Sequence, residues 1–220
     1  MDPFLAGLPL FKGVPPQTLA ELSRRFLLRR HRRREVVFEE GGSPGAVFLL
    51  KSGLVKAVKF SPKSEPFTLD VIVPGRLFGM IAVLDRKPYP VSAVTIQDSE
   101  VYHIPASAFD ELVGRFPAFS REVFRSMGGH LRHSHDMRSL SKEPAENRIA
   151  HVLCVLGAQL GRELRLRRED VAEMAGTTPE TAIRTLVEFR RRKLITTGWK
   201  RITLLDLAAL DKIAGRGHTR

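Results

Sequence analysis

Several protein classes are excluded by what this 220-residue chain lacks. It carries one cysteine, Cys154. That rules out a disulfide framework, and one thiolate cannot ligate an iron–sulfur cluster within one chain. No apolar run reaches the length of a membrane span. The start, MDPFLAGLPLF, has neither a basic leader region nor a long apolar stretch, so the chain reads as cytosolic, without a signal peptide and without a membrane partner. Walker loops and Gly-x-Ser-x-Gly elbows are missing, and the strand-rich half holds only His31 and His103, far apart in sequence and without a His-x-His pair. A cupin-like metal enzyme, the rival from another class, is disfavoured on that ground. No metal site is expected.

What is present is positive charge. The net charge is +12 and the pI about 10.5, which suits a polyanionic partner. Residues 142–220 hold 16 Lys and Arg against 10 Asp and Glu, and residues 1–141 hold 20 against 14. Each part carries +6, so the charge is almost twice as dense in the C-terminal third. Apolar residues make up 43%, enough for ordinary cores in one large or two small domains.

The most informative stretch runs from Arg167 to Ile195. Val171, Ala172 and Ala175 space apolar atoms along a first helix, and Gly176 stands where that helix should stop. Thr178 suits an N-cap and Pro179 the first helical position. Ala182, Leu186 and Phe189 then recur at i, i+4 and i+7, which predicts a second helix with one buried face. Its other face presents Glu180 and Arg184. This is a helix-turn-helix whose second helix is shaped for a major groove.

Ahead of it, from Glu35 to Ile104, the hydrophobic period is two, with glycine turns at Gly41, Gly53, Gly75 and Gly79 and no helical pattern between the strands. That predicts an antiparallel roll or jelly-roll barrel. The basic run Arg29–Arg34 reads as a solvated stretch leading into a strand. Phe109, Leu112 and Val113 predict a short helix ending near Gly114. A long helix starting near Pro117 carries Phe119, Val123, Met127, His130, Ser134 and Met137 at four- and three-residue steps, close to a coiled-coil seam. Gly128-Gly129 interrupts it. Ser141–Pro144 is the hinge candidate. The next helix, to Gly161, packs Ile149, Val152, Leu153 and Leu156, with Cys154 as a core thiol. A short strand over 162–167 and a hairpin turning near Gly198 complete the pattern of a wing.

The run Thr178-Pro179-Glu180-Thr181-Ala182-Ile183-Arg184, with its turn glycine and the trailing Leu194-Ile195, resembles the DNA-reading motif of the Crp/Fnr family of bacterial transcription regulators. The glycine rhythm of the strands is similar to that family's cyclic-nucleotide-binding roll, so the resemblance covers nearly the whole chain. It implies an α+β fold in three parts: an N-terminal antiparallel β-roll over 1–114, a dimerisation helix over 115–141 and a C-terminal winged helix-turn-helix over 142–220. It further implies a homodimer that reads a palindromic operator in double-stranded DNA, as activator, repressor or both, with RNA polymerase as a partner and no enzymatic activity. Glu180 and Arg184 are the expected base readers, with apolar contacts from Pro179 and Ile183. Arg168, Thr178, Thr181, Lys200 and Arg201 are expected on phosphates.

At the effector position the sequence departs from the family. Members that bind cyclic nucleotides place Gly-Glu before an Arg-[Ser/Thr]-Ala element. Here Gly79 is followed by Met80 where the glutamate belongs, and Val91 precedes Ser92 where the arginine belongs. A cyclic phosphate would lose its main charge-assisted contact, so the pocket is degenerate and the usual cyclic-AMP response is not expected. The Cys-x-His of carbon-monoxide-sensing haem members is also absent at Gly79-Met80-Ile81. No cofactor is therefore expected. The alternative left open is a haem or metal held by His130, His133 or His135, in a gas- or redox-sensing regulator of the same fold.

Overall fold

The computed structural model describes the backbone of residues 2–61, 64–140 and 143–215, with side chains outside 60–67 and 130–140. In chain order the elements are α1 (Pro3–Gly7), a 3-10 turn (Pro9–Phe11), α2 (Pro16–Ser23), β1 (Leu27–His31), β2 (Val36–Phe38), β3 (Ala46–Ser52), β4 (Val55–Ser61), β5 (Ser64–Ile72), β6 (Leu77–Phe78), α3 (Met80–Asp85), β7 (Ser92–Thr95), β8 (Ser99–Pro105), α4 (Ala106–Arg115), α5 (Pro117–Leu140), α6 (Ala145–Leu160), β9 (Glu163–Leu164), α7 (Arg168–Met174), α8 (Pro179–Arg191), β10 (Ile195–Gly198), β11 (Arg201–Leu204) and α9 (Leu207–Ile213). They form two compact units, residues 1–134 and 135–220, whose boundary falls inside α5. No described helix is long and apolar enough to cross a membrane.

The first unit is built on two four-stranded antiparallel sheets, ordered β1-β8-β3-β6 and β2-β7-β4-β5. Strand β3 shows why the pattern folds this way. Successive side chains of a strand point to opposite faces. Val47 and Leu49 join a cluster with Leu5, Phe11, Leu22, Ile104, Phe109 and Leu112 on the helix side. Phe48 and Leu50 join Val55, Ile72, Ala93 and Val101 on the other face. At the N-terminus Asp2 caps α1 by accepting from Phe4 N–H at 2.9 Å. The same carboxylate accepts from Lys51 Nζ at 2.8 Å and from the Tyr102 hydroxyl. These donors, Lys51 first, lower its pKa to about 2.

Three expectations need correction. The basic run does not merely lead into a strand, because Arg29 and Arg30 lie within β1, paired with Val101 and Glu100 of β8. A helix, α3, does interrupt the strands, directly after Gly79. The seam residues Phe119 and Val123 are fully buried in their own unit's core, and Met127 packs against that core. They are thus committed within the chain. A four-and-three spacing marks an apolar stripe without saying what covers it. On the outward side Phe124 is 67% exposed.

The pairing of β1 with β8 brings together His31 and His103, which lie far apart in sequence. Their Nε2 atoms are 3.2 Å apart, in rings only 3° from parallel. His31 Nδ1 meets Glu35 Oε1 at 2.9 Å. Burial, then the nearby Arg29 charge and His31, push His103 down to about 4 from an ordinary 6.5. The sign follows: above pH 6.5 this ring is neutral in folded and unfolded chains alike. As pH falls from 6.5 through about 4, the unfolded chain takes up a proton that the native one resists, and stability is lost. Urea unfolding should therefore show lower stability at pH 5 than at pH 7.5. His103→Gln should shrink that difference; an unchanged difference would assign it to other groups.

The second unit packs α6 against α7, α8 and α9 beside a small sheet ordered β10-β11-β9. Gly157 is the point of closest approach, since a Cβ there would lie 2.5 Å from Leu204 Cδ1 and 3.3 Å from Leu207 Cδ2. Cys154 is buried in the same helix, as the pattern predicts.

Candidate functional site

Helix α7 begins where Asp170 accepts the Arg167 N–H at 2.8 Å. It ends at Met174 with Ala175 as its C-cap, and Gly176 adopts φ +58, a region costly for residues bearing a Cβ. Thr178 Oγ1 accepts from Thr181 N–H at 3.3 Å and caps α8, whose first turn opens with Pro179. Ala182, Leu186 and Phe189 are at most 1% exposed. The opposite face follows from the same geometry: Pro179, Glu180 and Arg184 are exposed, and Ile183 is half-buried. The two hydroxyls expected on phosphates already serve the helix start, Thr178 Oγ1 meeting Thr181 Oγ1 at 3.1 Å.

Beside this helix pair, β10 and β11 form the expected hairpin, with Gly198 paired to Arg201. Its tip is Trp199-Lys200. Trp199 is 85% exposed, and Lys200 Nζ sits 4.0 Å above its ring. Between the hairpin and the start of α7 lies a surface depression of about 580 Å³, whose lining includes Arg167, Arg168, Arg190, Lys200 and Arg201, with Glu169 as its acidic member. The structure thus brings Arg168, Lys200 and Arg201 into one basic concavity. Sequence reasoning missed Arg167, Arg190 and Trp199 there. The run Arg190–Lys193, directly after the last buried residue of α8, was the available signal.

In the first unit, Gly79, Met80 and Val91 line one cavity of about 170 Å³, together with Phe38, Ala57, Leu69, Asp70, Ile72, Phe78, Ile81, Ala82, Tyr89, Pro90 and Ala93. Ser92 is not part of the lining; its hydroxyl accepts from Glu40 N–H at 2.8 Å. Asp70 is the ionisable carboxylate of the lining, and no Lys, Arg or His is among its described residues. Among the described residues, no group of three or more His, Cys, Asp or Glu is placed to hold a metal. The side chains of His130, His133, Ser134, His135 and Met137 lie outside the described residues.

Comparison with known proteins agrees with this anatomy. Residues 28–116 match the family model of the cyclic nucleotide-binding domain, and residues 147–213 match the Crp-like helix-turn-helix domain. The chain is 28% identical over 212 residues to the cyclic AMP receptor protein of Thermus thermophilus, covering 96% of this chain and 98% of that one. It is 30% identical over 190 residues to the transcriptional activator protein Anr of Pseudomonas aeruginosa, covering 82% and 78%. FixK2 from Bradyrhizobium japonicum shares the fold, with a TM-score of 0.75 at 21% identity over 86% of this chain and 96% of that one. A nucleotide-binding-type roll, a capped helix pair with an exposed Glu/Arg face and relatives along nearly the whole length lead to one conclusion: this chain belongs to the Crp/Fnr family of DNA-binding transcription regulators.

Proposed function

We propose that the protein acts as a homodimer on an inverted-repeat operator, inserts α8 into successive major grooves, and does so without a response to cyclic AMP. The observation that carries the DNA reading is the two-sidedness of α8. Its buried side fixes the helix, and its exposed side offers Glu180 and Arg184 beside a concavity lined by five basic residues. The outward side of α5, carrying Phe124, is the surface for a second copy. The family resemblance adds RNA polymerase as the downstream partner.

The effector reading rests on Met80 and Val91. Both line the cavity where the family's carboxylate and guanidinium would meet a cyclic nucleotide. An anionic phosphate there would meet no Lys, Arg or His among the described lining residues. Fluorescence anisotropy with an operator selected from random DNA should therefore give the same affinity with and without cyclic AMP. A cyclic-AMP-dependent rise in affinity would overturn this part.

Binding should also weaken steeply with salt as phosphates are neutralised, log K falling by about 0.9 per contact for each unit of log salt. Lys200→Ala should weaken cognate and unrelated DNA alike and reduce the slope by about 1 for each wing engaged. A salt slope identical to wild type would remove Lys200 from the interface.

A further inference from the structure

Resting on the reading that the roll is not a cyclic-nucleotide site, we infer that its cavity binds a small, uncharged aromatic molecule, between benzene and indole in size. Size comes first. The volume is about 170 Å³. An enclosed apolar cavity of about 150 Å³ takes up benzene, which sets the scale for a guest of this volume. A purine ribose cyclic phosphate is much larger than either.

The polar groups of the lining come next, and they are occupied. The Tyr89 hydroxyl donates to Ala46 O at 2.6 Å and accepts from Ala46 N–H at 3.3 Å. Tyr89 therefore turns its ring, rather than its oxygen, to the cavity. Asp70 Oδ1 accepts from Val71 N–H at 2.8 Å, and its residue is 4% exposed. Lys59, tied to the rim through Pro90 O at 3.0 Å, is ion-paired with Glu40 at 2.5 Å and lies outside the lining. A negative group entering here would shed water and meet no Lys, Arg or His among the described lining residues.

Aromatic preference follows from the wall. Phe38 lies 4.2 Å from Tyr89 and 6.0 Å from Phe78, centroid to centroid, and all three rings line the cavity. Such a wall offers faces and edges for offset stacking with a further ring. Ile81, which is 48% exposed, stands with Pro90 and Val91 on the solvent side, so the cavity has an entrance. The elements that meet there, α3 with β4, β5 and β7, place any guest between helix and sheet.

The test uses the full-length protein, calorimetry and ligand-observed NMR, with indole, benzoate and cyclic AMP as probes. Indole should bind saturably. Benzoate, the ring with a charge added, should bind at least about tenfold more weakly, one factor of ten being 1.4 kcal/mol. Ala57→Leu fills the cavity from β4, and Val91→Phe fills it from the rim. Each should weaken indole by about tenfold or more, with the melting temperature held as the control for folding. Absence of saturable indole binding, benzoate binding as well as indole, or wild-type indole affinity in both variants would each overturn the inference. Cyclic AMP binding that raises operator affinity would instead overturn the reading beneath it, whereas a silent cyclic AMP with no indole binding would sink this inference alone.

Discussion

Replacing Arg184 with alanine is expected to cost about 1–3 kcal/mol per half-site, roughly 5- to 150-fold in affinity. The loss should be confined to one G·C pair in each half. The guanidinium is exposed on the face of α8 opposite Ala182, Leu186 and Phe189, so burial does not withhold it from a groove. Its donor fork matches guanine O6 and N7. Glu180 lies one turn nearer the helix start, where the helix dipole favours a negative charge, and it can accept from a cytosine amino group on the neighbouring pair. Pro179 and the half-buried Ile183 offer only apolar contact to thymine methyls, so they should discriminate less. Selection of sites from random DNA by the wild type and by Arg184→Ala decides the matter. Loss of preference at one pair per half-site is the expected outcome. Equal stringency at every position would mean that α8 does not read that pair through Arg184.

The second large effect concerns the buried side of the same helix. Phe189→Ala should destabilise the C-terminal unit by about 3–5 kcal/mol, the usual cost of emptying a fully buried phenyl site. Phe189 is 0% exposed, and it anchors α8 in a unit of modest size. Net stabilities of small domains are only about 5–15 kcal/mol, so the open state should become much more populated. Cys154 supplies the readout, being the chain's single cysteine and buried in α6 of this unit. When opening is fast relative to modification, thiol labelling tracks the open population. Its rate should rise more than about a hundredfold in Phe189→Ala, since each 1.4 kcal/mol is a factor of ten. A rise below about tenfold would show that the helix pair tolerates the void.

These two sides of α8 were legible in the sequence because every signal for them is local. A cap, a proline, a turn glycine and three apolar residues at helical spacing fall within one stretch, and each acts over a few residues. The strands of the roll were legible for the same reason, through alternation and glycine turns. What escaped depended on pairing across the chain. Strand β1 reads Leu-Leu-Arg-Arg-His, with no alternation, because four of its five side chains are exposed. The meeting of His31 with His103 needs the register of β1 against β8. The stripe on α5 was visible, yet Phe119 and Val123 were assigned to a partner when their own core takes them. At the cavity, the departure from the family was readable at Met80 and Val91. The aromatic wall of Phe38, Phe78 and Tyr89 comes from three separate segments that only the fold assembles.

The wing tip has a spectroscopic consequence. Trp199 is the chain's single tryptophan, and it stands 85% exposed, with the Lys200 ammonium 4.0 Å above its ring. Indole emission depends on the polarity and the charges around the ring, and here all of it originates from one turn of a hairpin. The intrinsic fluorescence of this protein is therefore a local gauge of the wing. It registers what touches that tip, and it reports little of whether the roll or the buried face of the recognition helix is folded.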